Sequence, residues 1–371
     1  MTYRRPLTVA LAGLVVLAAC SSDDSADDTT STAETTTTTS TVPETTPTTT
    51  PPPSTSSTST TTTTLPEIIR QPLTGEPVDS EADLVDRAAL AVKIDNHPSA
   101  RANHTGLANA DIVFEEIVEG QLTRFLAIFH TTGSDPVGPI RSGRSQDVGL
   151  LASFNEPLFA WSGGNAGVTS LIANSPLVDL NAVRGGQGYY RGPGGTPHNL
   201  YNDTETLWAQ TPEDHPGPPE QQYAYLRPEE TFTGEEVAGM NVVVGGVGVG
   251  WEWDADSGKW LRNQGGRAHN DVTNGRIAAT NVVVMTVSYV PSAIDSRSPE
   301  AVTVGEGHVF VFSDGKVAEG TWARLAAQAP IEFLDEAGEP LLLSPGNTWI
   351  ELAAGFTQEG SERPVAAVET F

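Results

Sequence analysis

The chain has 371 residues, with 47 acidic side chains against 20 basic ones, a formal net charge of −27, 27 prolines, 36 glycines and one cysteine. So acidic a molecule lacks the diffuse positive potential that a general nucleic-acid binder or a polybasic membrane-surface protein needs, and no nucleic-acid partner is expected. A single cysteine excludes an internal disulfide framework and a cysteine-built zinc site.

At the start, Arg4 and Arg5 precede an apolar run over 7–19 that is too short to span a bilayer as a stable helix, so 1–20 reads as a signal peptide. The run ends Leu17-Ala18-Ala19-Cys20, which resembles the bacterial lipobox. That resemblance implies lipidation of Cys20 and anchoring to the extracytoplasmic face of the cell membrane. Two or more acyl chains, at about 0.8 kcal/mol per buried methylene, hold a protein stably on a bilayer. Residues 21–66 are dominated by Thr, Ser and Pro, with almost no large apolar side chain, and cannot bury enough surface to offset their ordering entropy. They are expected to form a disordered tether, which at about 3.1 Å per residue reaches at most about 140 Å.

From 67 to 210, strand-like and helix-like stretches alternate, predicting an α/β or α+β domain with a mixed sheet. Strands are expected over 89–95, 111–118, 122–130 and 157–162, and short helices over 144–154, 167–173 and 203–210. Residues 211–230 read as a linker, because Pro212, Pro216, Pro218 and Pro219 preclude a helix or a central strand there. Residues 231–371 read as a mostly β domain. Its strands are expected over 241–244, 251–254, 260–263, 280–290, 308–312, 331–334, 341–343 and 348–352, with turns at Asp256-Ser257-Gly258, Ser313-Asp314-Gly315 and Glu336-Ala337-Gly338.

Strand alternation singles out Glu116. It shares a face with Ile112, Phe114 and Val118, whereas Asp111, Val113, Glu115, Ile117 and Glu119 share the other. A hairpin centred on Gly120 sets Glu116 opposite Arg124, as a cross-strand ion pair or as part of a site. The run Gly138-Pro139-Ile140-Arg141-Ser142-Gly143-Arg144-Ser145 offers guanidinium forks, hydroxyls and free backbone N–H groups to a phosphate or carboxylate, unless its arginines simply pair with Glu115, Glu116 or Glu119. Between 120 and 201 five arginines face four acids, so this segment is locally positive.

Asp95-Asn96-His97-Pro98 and Ser162-Gly163-Gly164-Asn165 each end a strand, and Pro197-His198-Asn199-Leu200-Tyr201 follows a Gly-rich loop over 185–195. Asp95, His97, Glu116 and His198 are therefore the candidate acid–base groups, and Arg124, Arg141, Ser142, Arg144 and Asn199 the candidate ligand-binding groups. The seven histidines show no metal-ligand spacing, so no metal is expected. No cofactor is expected either: GGVGVG over 245–250 runs into the strand-like Trp251-Glu252-Trp253, not into a helix. Trp251, Trp253, Trp260, Trp322 and Trp349 are read as core or turn packing before sugar stacking.

VKIDNHPSAR, ADIVFEEIVEGQLTRFLAIF, GPIRSGR and PHNLY in the first region, then WLRNQGGRAHND, NVVVM, SDGK…GTW and PGNTWIEL in the second, resemble the YerB-like lipoproteins, a bacterial family of domains of unknown function. The resemblance covers about 90–370 and implies an N-terminal and a C-terminal family domain without an established activity. Thr123-Arg124 followed by Ile140-Arg141-Ser142 is also faintly similar to the arginine-bearing strands of LytR-CpsA-Psr envelope phosphotransferases, which bind polyprenyl pyrophosphate. No magnesium-binding acidic motif carries over. Three readings follow: a membrane-anchored protein binding an anionic envelope ligand, an envelope enzyme acting on cell-wall glycan or lipid-linked phosphate, and a scaffold docking a protein partner.

Overall fold

The computed structural model describes residues 67–356 and 365–371; the expected signal peptide over 1–20, the expected tether over 21–66 and Cys20 lie outside the described residues. The strands that position the site are β1 (Leu90–Asp95), β2 (Ile112–Ile117), β3 (Thr123–Phe129), β4 (Leu158–Trp161), β5 (Val178–Asn181), β6 (Gly239–Val244), β7 (Val247–Asp254), β8 (Lys259–Gln264), β9 (Asn281–Pro291), β10 (Pro299–Val302), β11 (Gly305–Ser313), β12 (Lys316–Arg324), β13 (Glu332–Leu334), β14 (Thr348–Ala354) and β15 (Val368–Thr370). Three short helices accompany them: α1 (Ser145–Leu151), α2 (Ala166–Ala173) and α3 (Thr204–Trp208). The first region thus contributes strands and helices to a mixed sheet and the second is mostly antiparallel strands, the fold class that the spacing predicts.

One 12-stranded sheet runs β13-β12-β11-β9-β14-β2-β3-β1-β4-β5, with β10 and Glu235–Glu236 pairing off this path. It joins the two regions where β14 lies parallel to both β2 and β9. A second, six-stranded sheet holds β8, β7, β6 and β15 in that order, flanked by the short strand Arg267–Ala268. It packs on one face of the large sheet, where Met240, Val242 and Trp251 meet Val92, Phe125, Val284 and Trp349. The opposite face is covered by α1, α2 and the segment after the proline tract, through Leu150, Ile172, Tyr223 and Leu226. Between 211 and 230 there is neither helix nor strand, in keeping with the prolines, yet Tyr223, Tyr225 and Leu226 are buried.

Both faces of β2 are consequently buried, which alternation along one strand does not reveal. Glu115 points to the small sheet and Glu116 to the helical face, and neither is exposed. The hairpin turns at Ser257-Gly258 and Asp314-Gly315 fall where expected, the latter with both residues in the left-handed region that a tight β-turn requires. By contrast, 341–343 forms only an isolated bridge from Leu343 to Tyr225, and the strands β5, β10, β12 and β15 carry no pattern strong enough to announce them. Trp251, Trp260, Trp322 and Trp349 are core residues, so they offer no sugar platform. Among the described residues no helix is long and apolar enough to cross a membrane.

Candidate functional site

At the carboxyl end of β1 the strand changes its neighbour on one side, the position at which α/β sheets commonly carry functional groups. β1 pairs with β3 antiparallel and with β4 parallel only as far as Val92. Beyond it, the segment after Gly138 takes β4's place: Asp95 N donates to Pro139 O (2.8 Å) and Arg141 N to Lys93 O (2.8 Å). That segment is held on its far side by Leu200, whose carbonyl accepts from Ile140 N (2.6 Å). Backbone pairing therefore brings the 95–97, 140–144 and 198–199 stretches together, although they are far apart in sequence.

The side chains converge accordingly. Asp95 Oδ2 lies 2.6 Å from His198 Nδ1 and 3.3 Å from Arg141 Nε, and Asp95 Oδ1 accepts from His97 N at 3.1 Å. Burial pushes the Asp95 carboxyl up, but the bonds from His198 and His97 and the charges of Arg124 and Arg141 outweigh it and hold the group below the usual carboxylate range. An ionised Asp95 has no proton to donate, so His198 carries its proton on Nδ1. His97 stacks on His198 with ring centroids 4.2 Å apart and an interplanar angle of 12°. Partial burial and the neighbouring His198 lower the His97 pKa.

Three guanidiniums stand beside this pair. Arg124 is opposite Asp95 on β1 and opposite Glu116 on β2, the cross-strand register expected from the Gly120 turn. It is only 8% exposed. Its Nη1 donates to Ser142 O at 3.0 Å, its Nε is buried without a hydrogen bond, and among the described residues no carboxylate pairs with it. Burial, with Arg144 and Arg141 close by, lowers its pKa to about 9. Arg141 Nη1 donates to Ser142 Oγ at 3.2 Å. Arg144 is bound to Glu119 through Nη2 (2.5 Å) and Nε (3.1 Å), and its backbone N–H donates to Asp147 Oδ2 (2.6 Å) at the start of α1.

Two expected members stand elsewhere. Glu116 does not pair with Arg124; it is fully buried against Lys93 Nζ, which also binds Asp147 Oδ1 at 2.6 Å. Burial pulls Lys93 down to about 8 despite Asp147. A carboxylate sealed in this way supports the cleft from behind and does not face it. Asn199 is turned into the Gly-rich loop, donating to Gly192 O (3.3 Å) and Gly194 O (3.1 Å) and accepting from Arg191 Nη1 (3.1 Å). Asn165 caps α2, accepting from Val168 N at 2.8 Å. The spacing did not single out Lys93 or Asp147, whereas Glu119 is one of the glutamates expected as partners for the arginines, and it binds Arg144. A lysine inside the apolar run Leu90–Asp95, on the face it shares with Asp95, was the available signal for the first.

Comparison with known proteins places the fold. The model of the DUF3048 N-terminal domain, a protein of unknown function, matches residues 73–217, and that of the DUF3048 C-terminal domain matches 233–350. The chain is 28% identical over 306 residues to "Putative lipoprotein YerB" of Bacillus subtilis (strain 168), covering 76% of this chain and 86% of that protein. It superposes on the crystal structure of the YerB protein from Bacillus subtilis with a TM-score of 0.67 at 24% identity, covering 81% of this chain and 99% of that one. The two matched domains, the Bacillus relative and the shared fold agree: the chain belongs to the YerB-like family.

Proposed function

We propose that this chain is a lipid-anchored, extracytoplasmic protein that binds an anionic cell-envelope ligand, a phosphate or a carboxylate, in the cleft formed by Arg124, Arg141, His198 and His97. Cys20, the sole cysteine, closing a lipobox-like signal, and the lipoprotein name of the Bacillus relative support the anchor. The observation that carries the binding reading is Arg124, a guanidinium nine-tenths buried, crowded by two other arginines and lacking a carboxylate of its own among the described residues. Asp95 and Glu119 act on it without a direct ion pair, and an incoming anion bound by the guanidinium fork supplies counter-charge at closer range.

Titration of the full chain with inorganic phosphate, pyrophosphate and muropeptides tests this, with Arg124→Ala and Arg141→Ala as variants. Loss of a hydrogen bond to a charged group is worth about 1.5–3 kcal/mol, so affinity falls by roughly 10- to 150-fold in Arg124→Ala. Binding unaffected by that change, or no binding of any of the three anions, overturns the reading. One observation favours an enzymatic version of the same site: the 2.6 Å contact of His198 with Asp95 orients an imidazole as a general base does, leaving Nε2 of the neutral ring as the acceptor.

A further inference from the structure

A line of buried side chains runs from the small sheet to the end of β1. Arg262 Nη1 is 2.7 Å from His269 Nδ1, His269 Nε2 is 2.8 Å from His104 Nδ1, and His104 Nε2 is 2.6 Å from the backbone carbonyl of Asp95. Arg262 and His104 are fully buried and His269 is 4% exposed. A guanidinium only donates, and this fixes every proton in the line. His269 Nδ1 must accept from Arg262, so His269 carries its hydrogen on Nε2. It donates that hydrogen to His104 Nδ1, and His104 in turn donates from Nε2 to Asp95 O. Both rings are neutral, because a second proton on either would set two N–H groups against each other. Their surroundings agree: burial lowers His104 to about 4, and burial with the adjacent Arg262 holds His269 well below its ordinary value.

The next residue is gripped from the same side. Asn96 Nδ2 donates to Thr123 Oγ1 at 2.7 Å, and Gln264 Nε2 donates to Asn96 Oδ1 at 2.7 Å. Gln264 also accepts from Arg262 Nη1 at 2.7 Å, while Arg262 Nη2 pairs with Glu115. Strand β8 thereby holds the Asp95–Asn96 peptide from the face opposite the cleft. The loop after β8 adds a backbone bond from Val272 N to His104 O (2.8 Å).

We propose that Arg262, His269 and His104 form a directional positioning relay, through which the second region of the chain fixes the Asp95 carboxylate against His198. This rests on the reading that Asp95 and His198 belong to the functional cleft. The relay joins a site built wholly from residues before the proline tract to the second region: its supporting wall is β8. His104 and His269 act only through Asp95 and do not touch the ligand.

Histidine-ring nitrogen NMR on the full chain tests the relay without a ligand. In the wild type, His104 and His269 give the neutral Nε2–H pattern at pH 7, and the His198 Nδ1 proton gives a downfield signal from its bond to Asp95. In His104→Leu that downfield signal is lost. His104→Gln, whose amide reaches the same carbonyl, retains it. Pyrophosphate affinity follows the signal, about tenfold weaker in His104→Leu and within threefold of wild type in His104→Gln. An Nδ1–H pattern at His104 or His269 in the wild type overturns the proposal, as does an unchanged His198 signal in a folded His104→Leu. Should His104→Leu fail to fold, the wild-type tautomers and His104→Gln decide. A wild type that binds no anion yet shows the expected ring pattern removes the binding reading and leaves the relay standing.

Discussion

Lys93 is the residue on which the back of the cleft depends. It sits unexposed between Glu116 and Asp147, and its removal leaves two carboxylates buried with no cation of their own. Breaking a buried ion pair from one side costs about 3–5 kcal/mol. Lys93→Met is therefore expected to lower the unfolding free energy by about that amount in urea titration, and Lys93→Met combined with Glu116→Gln to recover part of it. A single variant as stable as wild type refutes this role. Glu116 also marks how far residue-level reading reaches. Counting outward from Gly120 places it opposite Arg124, as the register has it. The partner it binds comes from β1, two strands away in the sheet order, and nothing in the spacing of 111–130 carries that information. Asp95 and His198 were each legible as strand-end and loop residues, but their contact spans 103 positions and depends on the 139–141 segment lying between them.

At the scale of elements, the Gly-rich loop between Asn181 and Leu200 is tied down by side chains that follow it: Asn202 Nδ2 donates to Gln187 O (2.7 Å), Tyr201 OH to Pro193 O (3.2 Å), and Asn199 holds two glycine carbonyls. Asn199 ties Gly192 and Gly194 back to the strand end that carries His198, and it is itself only 7% exposed. Glycines lose much conformational entropy on ordering, so a loop rich in them opens readily once its ties are cut. Each hydrogen bond contributes about 1 kcal/mol net. Asn199→Ala is expected to ease local opening by about 1–2 kcal/mol and to speed limited proteolysis between 184 and 197 by roughly 5- to 30-fold. Mass spectrometry of the fragments checks this, and wild-type cleavage kinetics would show that the loop is held by other means. Elements of this kind differ in legibility for a physical reason. Hairpins such as β11–β12 are announced by Asp314-Gly315, because a two-residue turn demands left-handed backbone. The parallel pairing of β2 with β14 joins positions 112 and 348, and no local residue preference encodes it.

For the whole molecule, the burial of histidines between layers sets an acid limit on stability. His104 and His130 are each lowered by burial to about 4, and His269 lies well below its ordinary value for the same reason. In the unfolded chain each takes up a proton near its ordinary pKa of about 6.5. The unfolded state therefore binds more protons between 6.5 and 4, and stability falls as pH drops through that window. For His104 alone the loss at pH 5 is about 2 kcal/mol relative to neutral pH. Asp111 acts in the opposite sense. Burial raises it to about 6 against the bonds from Thr131 and His130, so its proton uptake on acidification stabilises the fold by about 1 kcal/mol at pH 5. Asp95, held below the usual carboxylate range, contributes stability that is present above pH about 4 and is lost below it. Glu351, which burial raises well above its ordinary value, acts in the same sense as Asp111; three histidines against these two carboxyls still give a net decline, so the urea midpoint is expected to fall from pH 6.5 to 4.5. His130→Gln should flatten that slope while leaving the cleft untouched, since His130 lies at the far end of β3 and bonds to Arg87 O. A midpoint independent of pH in wild type and in His130→Gln alike would mean that the buried rings take up protons in the folded state as they do in the unfolded chain, and the neutral Arg262–His269–His104 line would fall with it.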